Sequence, residues 1–100
     1  MKKSKGQLAF EETNNELLKD PQAAAMYLEE ILAAGDLDLF KEAMKDVLSA
    51  QNGSMTKASK KTKLSRESLY RSFSRKGNPR FNTITDALEI SGLRLSITMA

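Results

Sequence analysis

The fold is decided by residues 55–73, which read MTKASKKTKLSRESLYRSF. Ser65 can cap a helix, and Leu69 and Phe73 follow it at the four-residue spacing that places two apolar side chains on one helical face. Leu64 supplies an apolar side chain for the corner between that helix and the polar segment before it. The stretch therefore predicts a short helix, a tight turn and a second helix anchored to a core.

Basic charge is concentrated around this stretch. Residues 1–50 carry six lysines and ten acidic residues, whereas residues 51–100 carry ten basic and three acidic residues. Between Thr56 and Arg80 nine basic side chains accompany a single acid, Glu67. This asymmetry indicates a polyanionic partner for the second half. A solvated basic face without any partner is the alternative.

Composition excludes several classes of protein. The 100 residues suit one domain, and the absence of cysteine excludes disulfides, thiolate zinc sites and cysteine nucleophiles. Histidine, the commonest general base, is absent as well. We therefore expect a protein that is not an enzyme and needs no cofactor. No apolar stretch follows the basic N-terminus or is long enough to span a membrane, so we expect a cytoplasmic protein.

Apolar residues recur at helical spacing in three more segments. Asp20 and Pro21 are typical of a helix start, and Gly35 of its end. A second helix is expected from Asp36 to residues 52–53. Ser54 is the expected cap of the first helix of the 55–73 stretch. Thr83, with Asp86 three positions on, predicts a capping-box start for the last helix, which Gly92 ends.

The two ends of the chain differ from the middle. Residues 1–17 show no clear periodicity and are interpreted as a flexible N-terminal arm. Leu93, Leu95 and Ile97 alternate with polar residues, which predicts a half-buried strand. The expected fold is all-α: a five-helix domain over residues 18–100 with a short C-terminal β-strand.

Residues 55–92 resemble the helix-turn-helix family of phage-repressor type, with the motif itself at residues 55–76. Ser59 stands where the family usually has alanine, which is harmless. Lys63 stands where glycine is usual, and at a positive φ it would cost about 1 kcal/mol relative to glycine. The resemblance implies that the N-terminal end of the second helix meets base edges in the major groove.

The expected DNA-binding residues fall into two groups. The outward-facing side chains of the second helix, of which the arginines are the best donors to guanine, are assigned to bases: Arg66, Glu67, Ser68 and Arg71. The remaining group is assigned to phosphates, which position the protein without reading sequence: Lys57, Lys60, Lys61, Ser65, Arg75, Lys76 and Arg80.

A wider resemblance covers residues 16–98. Segments 18–28, 35–40, 64–71, 77–81 and 92–96 resemble, in the same order, antidote (antitoxin) proteins of bacterial addiction modules, in the branch paired with RelE/ParE-like toxins. The segment Gly-Asn-Pro-Arg-Phe at 77–81 is the most distinctive. The resemblance implies neutralisation of a toxin and autorepression of the operon. A stand-alone repressor without a toxin and an adaptor that has lost DNA binding are the alternatives.

The N-terminal half is the expected toxin-binding part. It is acidic, and an acidic surface complements the basic surfaces of RNA-cleaving toxins. Asp20, Glu29 and Glu30 are further candidate acids. Alternatively, the first two helices only brace the DNA-binding unit. Acidic residues and apolar anchors of the arm, together with the residue that follows it, are assigned to toxin binding: Leu8, Phe10, Glu11, Glu12, Glu16, Leu17 and Leu18.

A homodimer is expected because proteins with this motif read two half-sites about one helical turn apart. Leu93, Leu95 and Ile97 would form its interface, since a lone strand edge invites pairing. The alternative is that this segment packs on its own helices.

Overall fold

A computed structural model describes residues 16–100 of the chain. Its helices, numbered here in chain order after a short helical segment at residues 16–18, are α1 (Pro21–Ala34), α2 (Leu37–Ala50), α3 (Ser54–Thr62), α4 (Arg66–Ser72) and α5 (Phe81–Ile90). The all-α prediction is confirmed, and no strand occurs within residues 16–100. None of these helices combines the length and apolar character needed to cross a membrane.

Helix α1 begins and ends where the sequence predicts, whereas α2 begins as predicted but ends at Ala50, before the predicted stop at residues 52–53. The Asp20 carboxylate accepts a hydrogen bond from the Gln22 amide at 3.3 Å, and Pro21 is the first residue of α1. Gly35 ends α1 with a φ of 78°, a left-handed conformation that glycine adopts without strain. The Asp36 carboxylate then accepts from the Leu39 amide at 3.0 Å and starts α2. Local capping chemistry fixes these ends.

Two predicted caps are wrong. Gly53, not Ser54, caps α3, and the Ser54 hydroxyl instead donates to the side-chain oxygen of Gln51 at 3.1 Å. Helix α5 begins at Phe81, so Thr83 lies inside it. Thr83 is buried on the face it shares with Ala87, four residues on. Burial against the core therefore decides where α5 begins, and a capping box at Thr83 does not form.

Helices α2 and α3 lie together at the centre of the packing. Helix α3 contacts α2, α4 and α5, and α2 also contacts α1 and α5. Leu69 and Phe73 are fully buried, as the sequence predicts for the residues that anchor α4. The largest fully buried side chains are Phe73, Leu18, Met44, Leu48, Leu69 and Val47. One core therefore joins the acidic N-terminal helices to the basic α3–α4 pair.

The predicted C-terminal strand is wrong for the single chain. Residues 93–100 have no regular secondary structure. The Leu93 amide donates to the Leu88 carbonyl at 2.8 Å, and this half-buried side chain packs on the core. A strand requires a ladder partner, and within residues 16–100 the fold offers none.

The predicted flexible arm is described only in its last two residues. Residues 1–15, which include Leu8, Phe10, Glu11 and Glu12, lie outside the described residues. Glu16 and Leu17 are helical, not irregular.

Candidate nucleic-acid interface

Helices α3 and α4 are joined by residues 63–65, and side chains hold this turn. Lys63 has a φ of 62°, the positive value anticipated for this position. The Ser59 hydroxyl donates to the Leu64 carbonyl at 2.6 Å. Thr62 donates to the Ala58 carbonyl at 2.7 Å and accepts from the Leu64 amide at 3.3 Å. Two hydroxyl side chains of α3 thus satisfy backbone groups in a turn that contains no glycine.

The N-terminal end of α4 is capped as predicted. The Ser65 hydroxyl accepts a hydrogen bond from the Ser68 amide and donates to the Ser68 hydroxyl, both at 3.0 Å. Arg66, Glu67 and Arg71 are exposed, while Ser68 is half-buried. The structure therefore brings the four predicted base-contacting residues together on the short helix that Leu69 anchors from its other side.

Tyr70 is an exposed member of α4 that the sequence analysis did not single out as a candidate binding residue. Its exposed fraction is 39%. It lies four residues after Arg66 and therefore on the same side of the helix. A phenol there offers a hydroxyl donor and a flat ring beside two arginines. Helical spacing relative to Arg66 was the signal that could have identified it.

The predicted phosphate-binding side chains fall into two groups: those that form an ion pair with a carboxylate and those that do not. Lys61 binds Glu89 and lies 4.0 Å from Asp86, both on α5. The Arg75 guanidinium binds Glu42 of α2 at 3.3 Å. Within residues 16–100, the exposed basic side chains without an ion pair are Lys57, Lys60, Lys63, Arg66, Arg71, Lys76, Arg80 and Arg94.

The Lys61 contacts also affect its protonation. The hydrogen bond to Glu89 raises the pKa of the Lys61 ammonium above its ordinary value, against a smaller opposing contribution from burial. Lys61 therefore stays charged throughout the physiological range and links α3 to α5. Its charge is shared with two carboxylates, whereas Lys57 and Lys60 have no ion pair within residues 16–100.

The segment after α4 is held by a lysine from the acidic half. The Lys41 ammonium donates to the carbonyls of Arg75 and Gly77, both at 2.7 Å, and pairs with Asp38 at 3.1 Å. Its side chain is only 13% exposed. Gly77 approaches α4 so closely that a Cβ atom would lie 2.2 Å from the carbonyl oxygens of Arg71 and Ser72. The Lys41 hydrogen bonds and the close contact of Gly77 with α4 therefore fix the position of the backbone on either side of Lys76.

The predicted toxin-binding residues of the N-terminal half differ in their exposure to solvent. Glu16 and Leu17 are exposed, but Leu18 is 1% exposed and belongs to the core. The predicted anchor Leu18 therefore presents no side-chain surface to a partner. Glu29 and Glu30 are exposed on α1 and border an open groove of about 610 Å³ together with Leu17 and Met26. Within residues 16–100 no three acidic side chains group to hold a metal ion.

The three residues predicted to form a dimer interface also differ. Leu93 packs on the core of its own chain. Leu95 is 38% exposed, and Ile97 is 99% exposed.

Comparison with known proteins gives one family. The family described as "Probable addiction module antidote protein" matches residues 9–99. A Haemophilus influenzae protein named only "Uncharacterized protein" is 30% identical over 82 residues, which is 82% of each chain. No solved structure matches. The matched range includes the α3–α4 pair, the Lys41 contacts and the acidic helix α1, and the chain therefore belongs to the family of probable addiction module antidote proteins.

Proposed function

We propose that this antidote neutralises a RelE/ParE-like toxin by direct binding and represses its own operon. In this proposal α3 and α4 form a phage-repressor-like helix-turn-helix that binds operator DNA, and the chain acts by binding, without catalysis. The observation that carries the proposal is the exposed side of α4. Ser65 caps the N-terminus of this helix, Leu69 anchors its other side to the core, and Arg66 and Arg71 are exposed without an ion pair within residues 16–100.

Arg66 and Arg71 are the proposed base readers, because a guanidinium can donate two hydrogen bonds to the O6 and N7 atoms of guanine. Glu67 can accept from the N4 amino group of cytosine. The Ser68 oxygen already accepts a hydrogen bond from Ser65, which leaves its O–H proton and one lone pair for a base contact. Unpaired lysines around the turn, Lys57, Lys60 and Lys63, are the proposed phosphate ligands, with Lys76 and Arg80 beyond α4.

The test compares Arg66→Ala with Lys60→Ala on operator and scrambled DNA at several salt concentrations. Both side chains are exposed, so neither change removes core packing. Arg66→Ala is expected to cost about 1–3 kcal/mol on operator and to relax specificity at one base pair. Lys60→Ala is expected to weaken binding to both DNAs alike. It should also reduce, by about one, the slope of the logarithm of the binding constant against the logarithm of the salt concentration. Equal loss of discrimination in both variants would contradict these roles.

The acidic N-terminal half is the proposed toxin-binding part. Glu16, Asp20, Glu29 and Glu30 are exposed, and carboxylates on this half complement a basic, RNA-binding toxin. Apolar contacts must accompany the charges, because charge alone seldom provides a binding hot spot.

We also propose that the antidote binds its operator as a homodimer. A two-fold symmetric protein matches two half-sites about one helical turn apart. The C-terminal residues Leu95 and Ile97 are the proposed contact between the two copies.

A further inference from the structure

The C-terminal tail, residues 94–99, has a backbone edge without hydrogen bonds. Within residues 16–100 no amide or carbonyl group of the tail bonds to the rest of the chain. Its sequence alternates Arg94, Ser96 and Thr98 with Leu95, Ile97 and Met99. Ile97 is 99% exposed and Met99 is 97% exposed. Within residues 16–100, the tail is thus an amphipathic segment without backbone hydrogen bonds, and its apolar face is exposed to solvent.

Within residues 16–100, an apolar groove beside this tail is left uncovered. Its volume is about 420 Å³, and the residues that border it include Leu32, Leu37, Pro79, Phe81, Ile84 and Leu95. Phe81 is 72% exposed and Leu37 is 64% exposed. Phe81 is the first residue of α5, and Leu37 is the first residue of α2. Leu95 places the tail itself at the edge of the groove.

We infer that the tails of two copies pair as an antiparallel two-stranded ribbon whose apolar face covers this groove on both copies. This inference rests on the proposed operator-binding homodimer and assigns its interface. We assign the groove to a second copy of the chain because the tail of that copy would supply both a strand partner for this tail and an apolar cover for the groove. In the described part of the chain, residues 16–100, the tail lacks a strand partner and exposes apolar side chains, and the groove at its edge lacks apolar cover.

The alternation of the tail fixes the pairing. In an antiparallel ribbon centred on Ser96, Leu95 lies opposite Ile97 of the second copy, and Arg94 lies opposite Thr98 of the second copy. All apolar side chains then share one face, whereas a shift by one residue would turn one strand over. Because Leu95 borders the groove, Ile97 of the second copy is brought to the same border, next to Phe81.

Sedimentation equilibrium of the full chain and two pairs of matched variants tests the interface. Ile97→Asp and Phe81→Asp are expected to weaken association more than about 100-fold, since each change removes two buried apolar side chains from the dimer. Thr98→Asp and Asn82→Asp introduce the same charge at neighbouring exposed positions and are expected to leave association nearly unchanged. Far-ultraviolet circular dichroism should stay the same in all four, because the single chain exposes each side chain.

Cysteine cross-linking tests the register, since the chain has no cysteine of its own. Ser96→Cys places the two thiols opposite each other, with Cα atoms about 4.5–5.5 Å apart, within the reach of a disulfide. Thr98→Cys separates them by about 13 Å along the ribbon and is the control. Rapid oxidation of the first variant to a dimer, and slow oxidation of the second, is the expected result.

Three results would overturn the inference. They are a full chain that stays monomeric at about 100 µM, an Ile97→Asp chain that dimerises like the unaltered protein, and equal cross-linking rates at positions 96 and 98. Operator binding is measured separately on the same samples. A chain that dimerises through its tail but fails to bind operator would overturn the proposed function and leave the tail pairing intact.

Discussion

At the scale of single residues, Lys63 is the one whose backbone conformation least suits its side chain. It is the only non-glycine residue with a positive φ within residues 16–100. A left-handed conformation costs an L-residue about 1–2 kcal/mol, and glycine avoids this cost but loses more entropy on folding. The hydroxyl groups of Ser59 and Thr62, which bond to the backbone of Leu64, help to hold this conformation.

We predict that Lys63→Gly raises the free energy of unfolding by about 0.5–1 kcal/mol, the difference between these two opposing costs. Urea unfolding followed by circular dichroism measures it. The control is Lys60→Gly, an exposed position inside α3, where glycine should lower the free energy of unfolding by about 1 kcal/mol. If Lys63→Gly destabilises the protein as Lys60→Gly does, then φ at Lys63 is not a source of strain.

At the scale of elements, the sequence predicts what local chemistry decides. Both ends of α1 and the start of α2 can be predicted because Asp20, Gly35 and Asp36 act within three or four residues of themselves. The cap and the anchors of α4 are readable for the same reason. The start of α5 is not, because burial of Thr83 against residues distant in the chain overrides its capping tendency.

Contacts between distant elements escape sequence reasoning. The Lys41 ammonium reaches carbonyls 34 and 36 residues away. Lys61 pairs with Glu89, and Arg75 with Glu42, across similar separations. No periodicity or spacing marks such pairs, so basic charge alone overestimates how many side chains are free to bind phosphate. Burial of Leu18 is likewise decided by packing, since Leu17 beside it is 57% exposed.

Lys41 gives a prediction about how α2 supports α4. Lys41→Met keeps the aliphatic stem but leaves the Arg75 and Gly77 carbonyls without their donor. An unsatisfied, partly buried acceptor costs about 1–3 kcal/mol. We expect lower stability and weaker operator binding, because the backbone that carries Lys76 and Arg80 loses its attachment to α2.

The control is Lys45→Met, which removes the same charge one turn further along α2. It should affect operator binding much less. Urea unfolding and operator titration at one salt concentration are measured on both variants. Equal loss of operator affinity in the two variants would mean that net charge, not the attachment of the 75–77 segment, accounts for the effect.

At the scale of the whole molecule, charge separates two surfaces on one core. Helices α1 and α2 carry exposed carboxylates, and α3, α4 and the turn between them carry five of the eight exposed basic side chains without an ion pair within residues 16–100. DNA would repel the first surface and attract the second. The two proposed partners therefore need not compete for the same side chains, and removal of one binding function should leave the other.

Truncation of the N-terminal arm tests this separation. A chain beginning at Asn15 lacks Leu8, Phe10, Glu11 and Glu12 but keeps Leu18, which a start at Lys19 would remove from the core. We expect this chain to keep its helical circular dichroism and its operator affinity. It should lose co-purification with the proposed toxin and should fail to rescue cells that express that toxin.

The full-length double variant Leu8→Ser, Phe10→Ser is the matched test of the apolar anchors. It keeps the chain length and all arm carboxylates, so rescue by this variant together with failure of the truncated chain would assign binding to Glu11 and Glu12. If the truncated chain neutralises the toxin as well as the full chain does, the arm is not the binding site. The toxin would then be sought on the exposed face of α1, where Leu17 and Met26 lie beside Glu29 and Glu30, and Met26→Asp would be the first variant to test.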